Sequence, residues 1–184
     1  MTDFRICGLL LLAALAGCGD GAPAALAGGS SADWARDACK TLPAAKVAEL
    51  TGVPQMASEP GLKNDANGTV LSHCSYTPVV EKDSLDDIKK IVGVALRHDT
   101  ERSMEQHIAE LDSVADSLGP AETVPVAKGQ ARFQPKTKQL IYFPDEERVI
   151  YVNGPGVNQF SGSDPDVTIK ERALKVAIAA AEAG

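Results

Sequence analysis

Val70-Leu71-Ser72-His73-Cys74-Ser75-Tyr76-Thr77 alternates two sets of side chains: Val70, Ser72, Cys74 and Tyr76 on one side, Leu71, His73, Ser75 and Thr77 on the other. A period of two is the mark of a strand with one buried face. The set that carries Cys74 is the inward one, so this strand takes a cysteine into the core. Asn67-Gly68 just before it is a strong turn signal. The stretch from Met56 to Thr69, rich in Gly, Asn, Asp and Pro, reads as a loop.

Downstream, the charged stretch Glu81 to Lys90 reads as a loop, and Ile91 to His98 as a second strand with Val92, Val94 and Leu96 on one face. Thr100 is a candidate cap for a helix whose apolar positions are Met104, Ile108, Leu111, Ala115 and Leu118, ended by Gly119-Pro120. Ala131 to Phe133, Gln139 to Phe143 and Arg148 to Val152 read as three strands, the last two joined in a hairpin by Pro144-Asp145-Glu146-Glu147. After Asn153-Gly154-Pro155-Gly156 comes a polar loop to Ser163. Asp164-Pro165 then opens a final helix with Ile169, Ala173, Val176 or Ala177, and Ala180 on its apolar face.

Upstream, Pro43 at the first turn and Gly52 past the last bracket Ala44, Val47, Ala48 and Leu50, which predicts a short helix over 43–51. Asp33 to Lys40 reads as a polar turn containing Cys39. Trp34, the one tryptophan, is expected to lid the core beside a disulfide, with ligand binding as the alternative. The element order is therefore α-β-β-α-β-β-β-α. Short connections between strands favour antiparallel pairing. The expected fold is α+β, an antiparallel sheet of about five strands with two long helices and one short helix packed on one face, in a single domain over 33–184.

The N-terminal end carries an address. Ile6 to Gly17 is apolar or small, too short for a permanent membrane span and suited to a secretion signal. Leu15-Ala16-Gly17-Cys18 matches the lipobox of bacterial lipoproteins at each position. Cleavage before Cys18 would leave that cysteine first, ready for a diacylglyceryl thioether. Residues 1–17 are thus expected to be a lipoprotein signal peptide. Residues 18–32 are expected to be the lipidated cysteine and a Gly/Ala/Ser-rich tether spanning roughly 20 Å as a random coil. The expected location is the extracytoplasmic face of the cell membrane, lipid-anchored, or an outer membrane where the host has one, which Gly19 after the lipidated cysteine would permit.

The net charge is −7. Loss of residues 1–17 removes Arg5 and Asp3 and leaves that value unchanged. An acidic surface repels phosphate backbones, which excludes nucleic acid as the natural partner. Of the four cysteines, Cys7 leaves with the signal and Cys18 takes the lipid. Cys39 and Cys74 then remain in an oxidising compartment, where a disulfide is the default outcome. Two buried thiols or half of a metal site are the alternatives, and the absence of any CxxC argues against zinc.

Catalytic patterns are sparse. His73, His98 and His107 form no HExxH or His-x-His motif, although His73 and His98 are expected to approach one another if their two strands pair. Satisfied surface or half-buried imidazoles account for them. Ser161-Gly162-Ser163 follows no strand in the manner of a nucleophile elbow. The pairs Asp86-Asp87, Asp145-Glu146-Glu147 and Asp164/Asp166 have plainer places in loops, a hairpin turn and a helix start. No P-loop, dinucleotide or EF-hand pattern occurs, so no metal and no cofactor is expected.

Cys39-Lys40-Thr41-Leu42-Pro43, Val47, Leu50 and Gly52, followed by Cys74-Ser75-Tyr76 and an apolar strand, resembles small actinobacterial envelope lipoproteins grouped as domain of unknown function 3558. The final hairpin and alanine-rich helix are similar too, with Tyr76 standing where tryptophan is common in that family. The resemblance implies the same fold and a Cys39–Cys74 disulfide, and carries no catalytic residues. Function is expected to be non-enzymatic: a binding or scaffold module of the bacterial envelope, held to its membrane through Cys18 and meeting an envelope protein through the sheet. The alternative is a carrier or sensor of a small apolar ligand in a pocket lined by Met104, Ile108 and Leu111. An envelope hydrolase comes third.

Overall fold

The computed structural model describes residues 31–79, 90–156 and 164–184. The expected signal segment, Cys18, most of the expected tether, the charged run to Lys89 and Ser161 to Ser163 lie outside the described residues.

Three short helices open the domain: α1 (Ser31–Ala35), α2 (Ala38–Thr41) and α3 (Ala44–Thr51). The first two replace the expected polar turn. Asp37 caps α2 by accepting from the Lys40 backbone N–H at 3.1 Å, so a sequence that looks polar is a capped helix start. For α3 the expected signals hold: Pro43 stands at its N-cap, and Gly52 ends it in the left-handed region at φ 72°.

β1 (Met56–Ala66) and β2 (Thr69–Pro78) form a hairpin through Asn67 and Gly68, both at positive φ as a type I′ turn requires. The expected loop over 56–69 is therefore mostly strand. β1 is an edge strand whose residues are all exposed after Met56, so no alternation of burial was imprinted on its sequence. Pro60 and an irregularity between Pro60 and Lys63 interrupt it, devices that discourage further pairing at an edge.

The remaining elements are β3 (Val92–Asp99), α4 (Met104–Ser113), α5 (Ala115–Leu118), β4 (Glu122–Val124), β5 (Gln130–Gln134), β6 (Gln139–Phe143), β7 (Arg148–Asn153) and α6 (Asp166–Glu182). The fold is α+β, as expected, but the sheet has seven strands rather than five, in the order β1-β2-β3-β7-β6-β5-β4 with every neighbouring pair antiparallel. Ser103 rather than Thr100 caps α4, through a reciprocal capping box with Gln106. The helix predicted from Thr100 to Leu118 is divided at Val114.

Register sets the core. Cys74 pairs with Val94, Val94 with Val152, Val152 with Leu140, and Leu140 with Phe133, a row of fully buried side chains running across five strands. α1, α2, α3 and α6 cover this face, and α6 buries Ile169, Ala173, Val176, Ala177 and Ala180 against it. α4 does not join them. It lies on the opposite face, where Met104, Ile108 and Leu111 pack against Ile141, Phe143, Val149 and Tyr151. The helices therefore divide between two faces. The cause is visible in β6: Leu140 to Phe143 are buried at every position, so the strand needs a cover on both sides.

Candidate functional site

The sulfurs of Cys39 and Cys74 are bonded, joining α2 to the inward face of β2 across a sequence separation of 35. Around the bridge the first helices are tied to the sheet by buried polar contacts. The Ser72 hydroxyl accepts from the Ala38 N–H at 2.8 Å, and the Tyr76 hydroxyl, fully buried, donates to the carbonyls of Leu42 at 2.6 Å and Ala38 at 3.2 Å. Trp34 is in the core and donates from Nε1 to the Ala180 carbonyl.

The histidines part company. His73 and His98 fall on opposite faces of the sheet, because His98 pairs with Val70 and His73 with Ala95. His98 lies 3.0 Å from the Glu147 carboxylate. His73 is half-exposed, and its imidazole spans the strand-to-strand gap between Gly61 and Gly93: a Cβ at Gly93 would come within 3.1 Å of Nε2. Asp145 binds Arg148, Asp164 binds Arg172 and Asp166 binds Lys138, so these acids hold local structure. No group of three or more His, Cys, Asp or Glu among the described residues is arranged to hold a metal ion.

The densest polar cluster among the described residues lies under α4, beside Met104, Ile108 and Leu111. Arg97 and Asp99 come from the end of β3, Arg102 from the connection that follows, His107 and Glu110 from α4, and Tyr151 from β7. Asp99 is buried at 1% exposure and its carboxylate is saturated. Oδ1 accepts from the backbone N–H groups of Glu101 and Arg102, and Oδ2 from the guanidinium groups of Arg97 at 2.6 Å and Arg102 at 3.3 Å. Burial alone would push this carboxyl up, but the Glu101 N–H and the Arg97 guanidinium outweigh it and hold it below the ordinary carboxylate range. Arg102 also grips Glu110 through both carboxylate oxygens.

His107 is 3% exposed, with Nε2 3.4 Å from Asp99 Oδ2 and Nδ1 4.0 Å from Glu110. Its Nε2 makes no hydrogen bond, and neither does the buried Nε of Arg97. Burial first, then the charges of Arg97 and Arg102, push the imidazole below its ordinary value. His107 is therefore neutral and walled in, which corrects the expectation of a satisfied half-buried imidazole. The ion pairs of Arg97 and Arg102 with Asp99, and of Arg102 with Glu110, make the cluster a charge-compensated clamp between helix and sheet. Its members were legible only as a pattern: Arg97 and Asp99 two apart at a strand end, then Arg102, then His107 and Glu110 at helical spacing.

Elsewhere, an open groove of about 380 Å³ runs between α3 and β1, lined by Ala45, Ala48, Val53, Pro54 and Met56. Another of about 170 Å³ lies beside edge strand β4, between Val124, Pro125, Val167 and Leu174. No described helix is long and apolar enough to cross a membrane. Comparison of the chain with protein-family models, with curated proteins and with solved structures found no match.

Proposed function

We propose that the protein is a lipid-anchored, extracytoplasmic binding or scaffold module of the bacterial envelope, without enzymatic activity of its own. The observation that carries this reading is the Cys39–Cys74 disulfide, a bond that persists outside the reducing cytosol. It agrees with the lipobox at Leu15 to Cys18. No family model matches the chain, so the resemblance to the lipoproteins of domain of unknown function 3558 adds nothing to this reading.

The partner surface we favour is the part of the α4-bearing sheet face that lies on β2 and β3, where the half-exposed residues are apolar Leu71 and the small or polar His73, Ser75 and Ala95. Its companion on the carrier reading, the trio Met104, Ile108 and Leu111, is engaged with Ile141, Phe143 and Val149, which supports packing over ligand capture.

Two experiments test the proposal. Metabolic labelling with an alkyne fatty acid should mark the full-length protein, and Cys18→Ser should lose both the label and membrane fractionation. A photo-crosslinking residue at Ser75, activated in intact cells, should give a reproducible protein adduct. An unlabelled protein, or a crosslinker that captures nothing above background at a surface position, would overturn the anchor or the partner surface respectively.

A further inference from the structure

We propose that α4 is an acid-released flap: protonation of His107 detaches the helix from the sheet and uncovers the apolar patch of Ile141, Phe143 and Val149. The inference rests on the clamp alone and holds whether or not the chain is anchored to a membrane.

Four observations converge on it. The Asp99 carboxylate already takes four donors, so the neighbouring His107 Nε2 at 3.4 Å finds no acceptor capacity aimed at it. An added proton there would make a third cation around a carboxylate shared by Arg97 and Arg102. The other groups that face the ring give little relief. Glu110 on α4 is mostly in water and held by Arg102, Tyr151 on β7 is hydrogen-bonded by Arg97, and β6 offers the Phe143 ring with its centroid 6.2 Å away. Finally, His107 is 3% exposed while docked, so an imidazolium reaches water only if the helix moves.

α4 is suited to move. Its capping box is internal to the helix and travels with it. Its apolar contacts are three half-buried side chains, whereas α6 on the other face buries five residues completely. Elements with few buried contacts open at lower free energy than the global fold. A group that binds its proton more weakly docked than released disfavours docking as the pH falls below its released-state value, near 6.5 for histidine. One coupled proton changes the opening equilibrium by up to about tenfold per pH unit in that window.

The test is hydrogen exchange of the full-length protein at pH 7.5 and pH 5.0, corrected for the intrinsic exchange rate at each pH. Peptides covering 103–113 should open about tenfold or more at pH 5.0, while peptides from β2, β3 and α6 keep their protection. In His107→Gln the opening of α4 should no longer depend on pH across this range. The proposal is overturned if α4 protection is equal at the two pH values, if sheet and α6 lose protection together with it, or if the dependence survives in His107→Gln. Should that variant not fold, the wild-type imidazole decides by NMR titration: a His107 midpoint well below 6.5 is expected, and one at or above 6.5 sinks the flap.

Discussion

The indole Nε1 of Trp34 donates a hydrogen bond to the carbonyl oxygen of Ala180, 2.7 Å away and 146 positions along the chain. The guanidinium of Arg148 lies 5.4 Å from the indole centroid and donates to the Ala181 carbonyl, so the open carbonyl end of α6 is closed by an aromatic donor and a cation. The first helix of the domain thus fastens the last one. Trp34→Phe keeps most of the buried area and removes the bond, and should cost about 1 to 2 kcal/mol. Trp34→Ala should cost about 3 to 5 kcal/mol. Urea unfolding followed by circular dichroism measures both, and a Trp34→Phe variant as stable as the wild type would deny the hydrogen bond its role.

The disulfide makes a second, independent fastening. Its sequence separation of 35 corresponds in the chain-entropy account to about 3.5 to 4 kcal/mol of stability. The double variant Cys39→Ala/Cys74→Ala should lose about 2 to 4 kcal/mol, and the wild type under a strong reductant should lose a similar amount. Equilibrium unfolding with and without reductant gives the comparison. Reductant should leave the double variant unaffected.

How far the sequence reveals this fold depends on burial. β2 alternates because one of its faces is fully covered, and its alternation, its cysteine and its neighbour β3 were all readable. β1 was not, because its side chains after Met56 all face solvent and any residue compatible with an edge suffices. The two-sided cover was written in Leu140-Ile141-Tyr142-Phe143, four consecutive apolar residues in a strand, whose meaning is a helix on each face. The clamp was harder still. Arg97 and Asp99 sit among residues that look like an ordinary polar strand end, and only the register that sets Arg97 opposite Val149 brings them beneath α4.

Asp99 is where the charge of the clamp is anchored. Its carboxyl is held below the ordinary range in the folded chain despite burial, so ionisation favours folding. That contribution is complete above about pH 3.9, the unfolded value, and is lost as the pH falls through the lower folded value. Asp99→Asn leaves Arg97 and Arg102 without their shared counter-charge and should cost about 3 kcal/mol at pH 7. The gap between variant and wild type should narrow as the pH falls below about 4. A gap of constant size, measured by urea unfolding at pH 7 and pH 3, would mean that shape rather than charge is at stake.

Tyr76 joins β2 to the carbonyl end of α2 through a fully buried hydroxyl. Tyr76→Phe preserves the ring and strands the Leu42 carbonyl, so about 1 to 2 kcal/mol should be lost. The same change in a background that already lacks the disulfide should cost a different amount from its cost in the wild type only if the two fastenings share the motion of α2. A double-mutant cycle by urea unfolding measures that coupling, and we expect it to exceed about 0.5 kcal/mol because Cys74 and Tyr76 are two residues apart on one strand face.

Gly129 tests the backbone that carries β5 alongside β6. It stands at φ +72°, and a Cβ there would overlap the carbonyl oxygen of Phe143, a backbone atom at the end of β6 that has no rotamer with which to withdraw. Both effects oppose substitution: the left-handed conformation costs a non-glycine residue about 1 kcal/mol, and the overlap forces the strand ends apart. Gly129→Ala should therefore lose at least about 2 kcal/mol, whereas Gly52→Ala, at the same φ with open space around it, should lose only about 1 kcal/mol. Thermal unfolding of the two variants side by side separates the contributions. Since Phe143 also supports α4, Gly129→Ala should in addition raise hydrogen exchange in the helix above the sheet before the sheet itself opens.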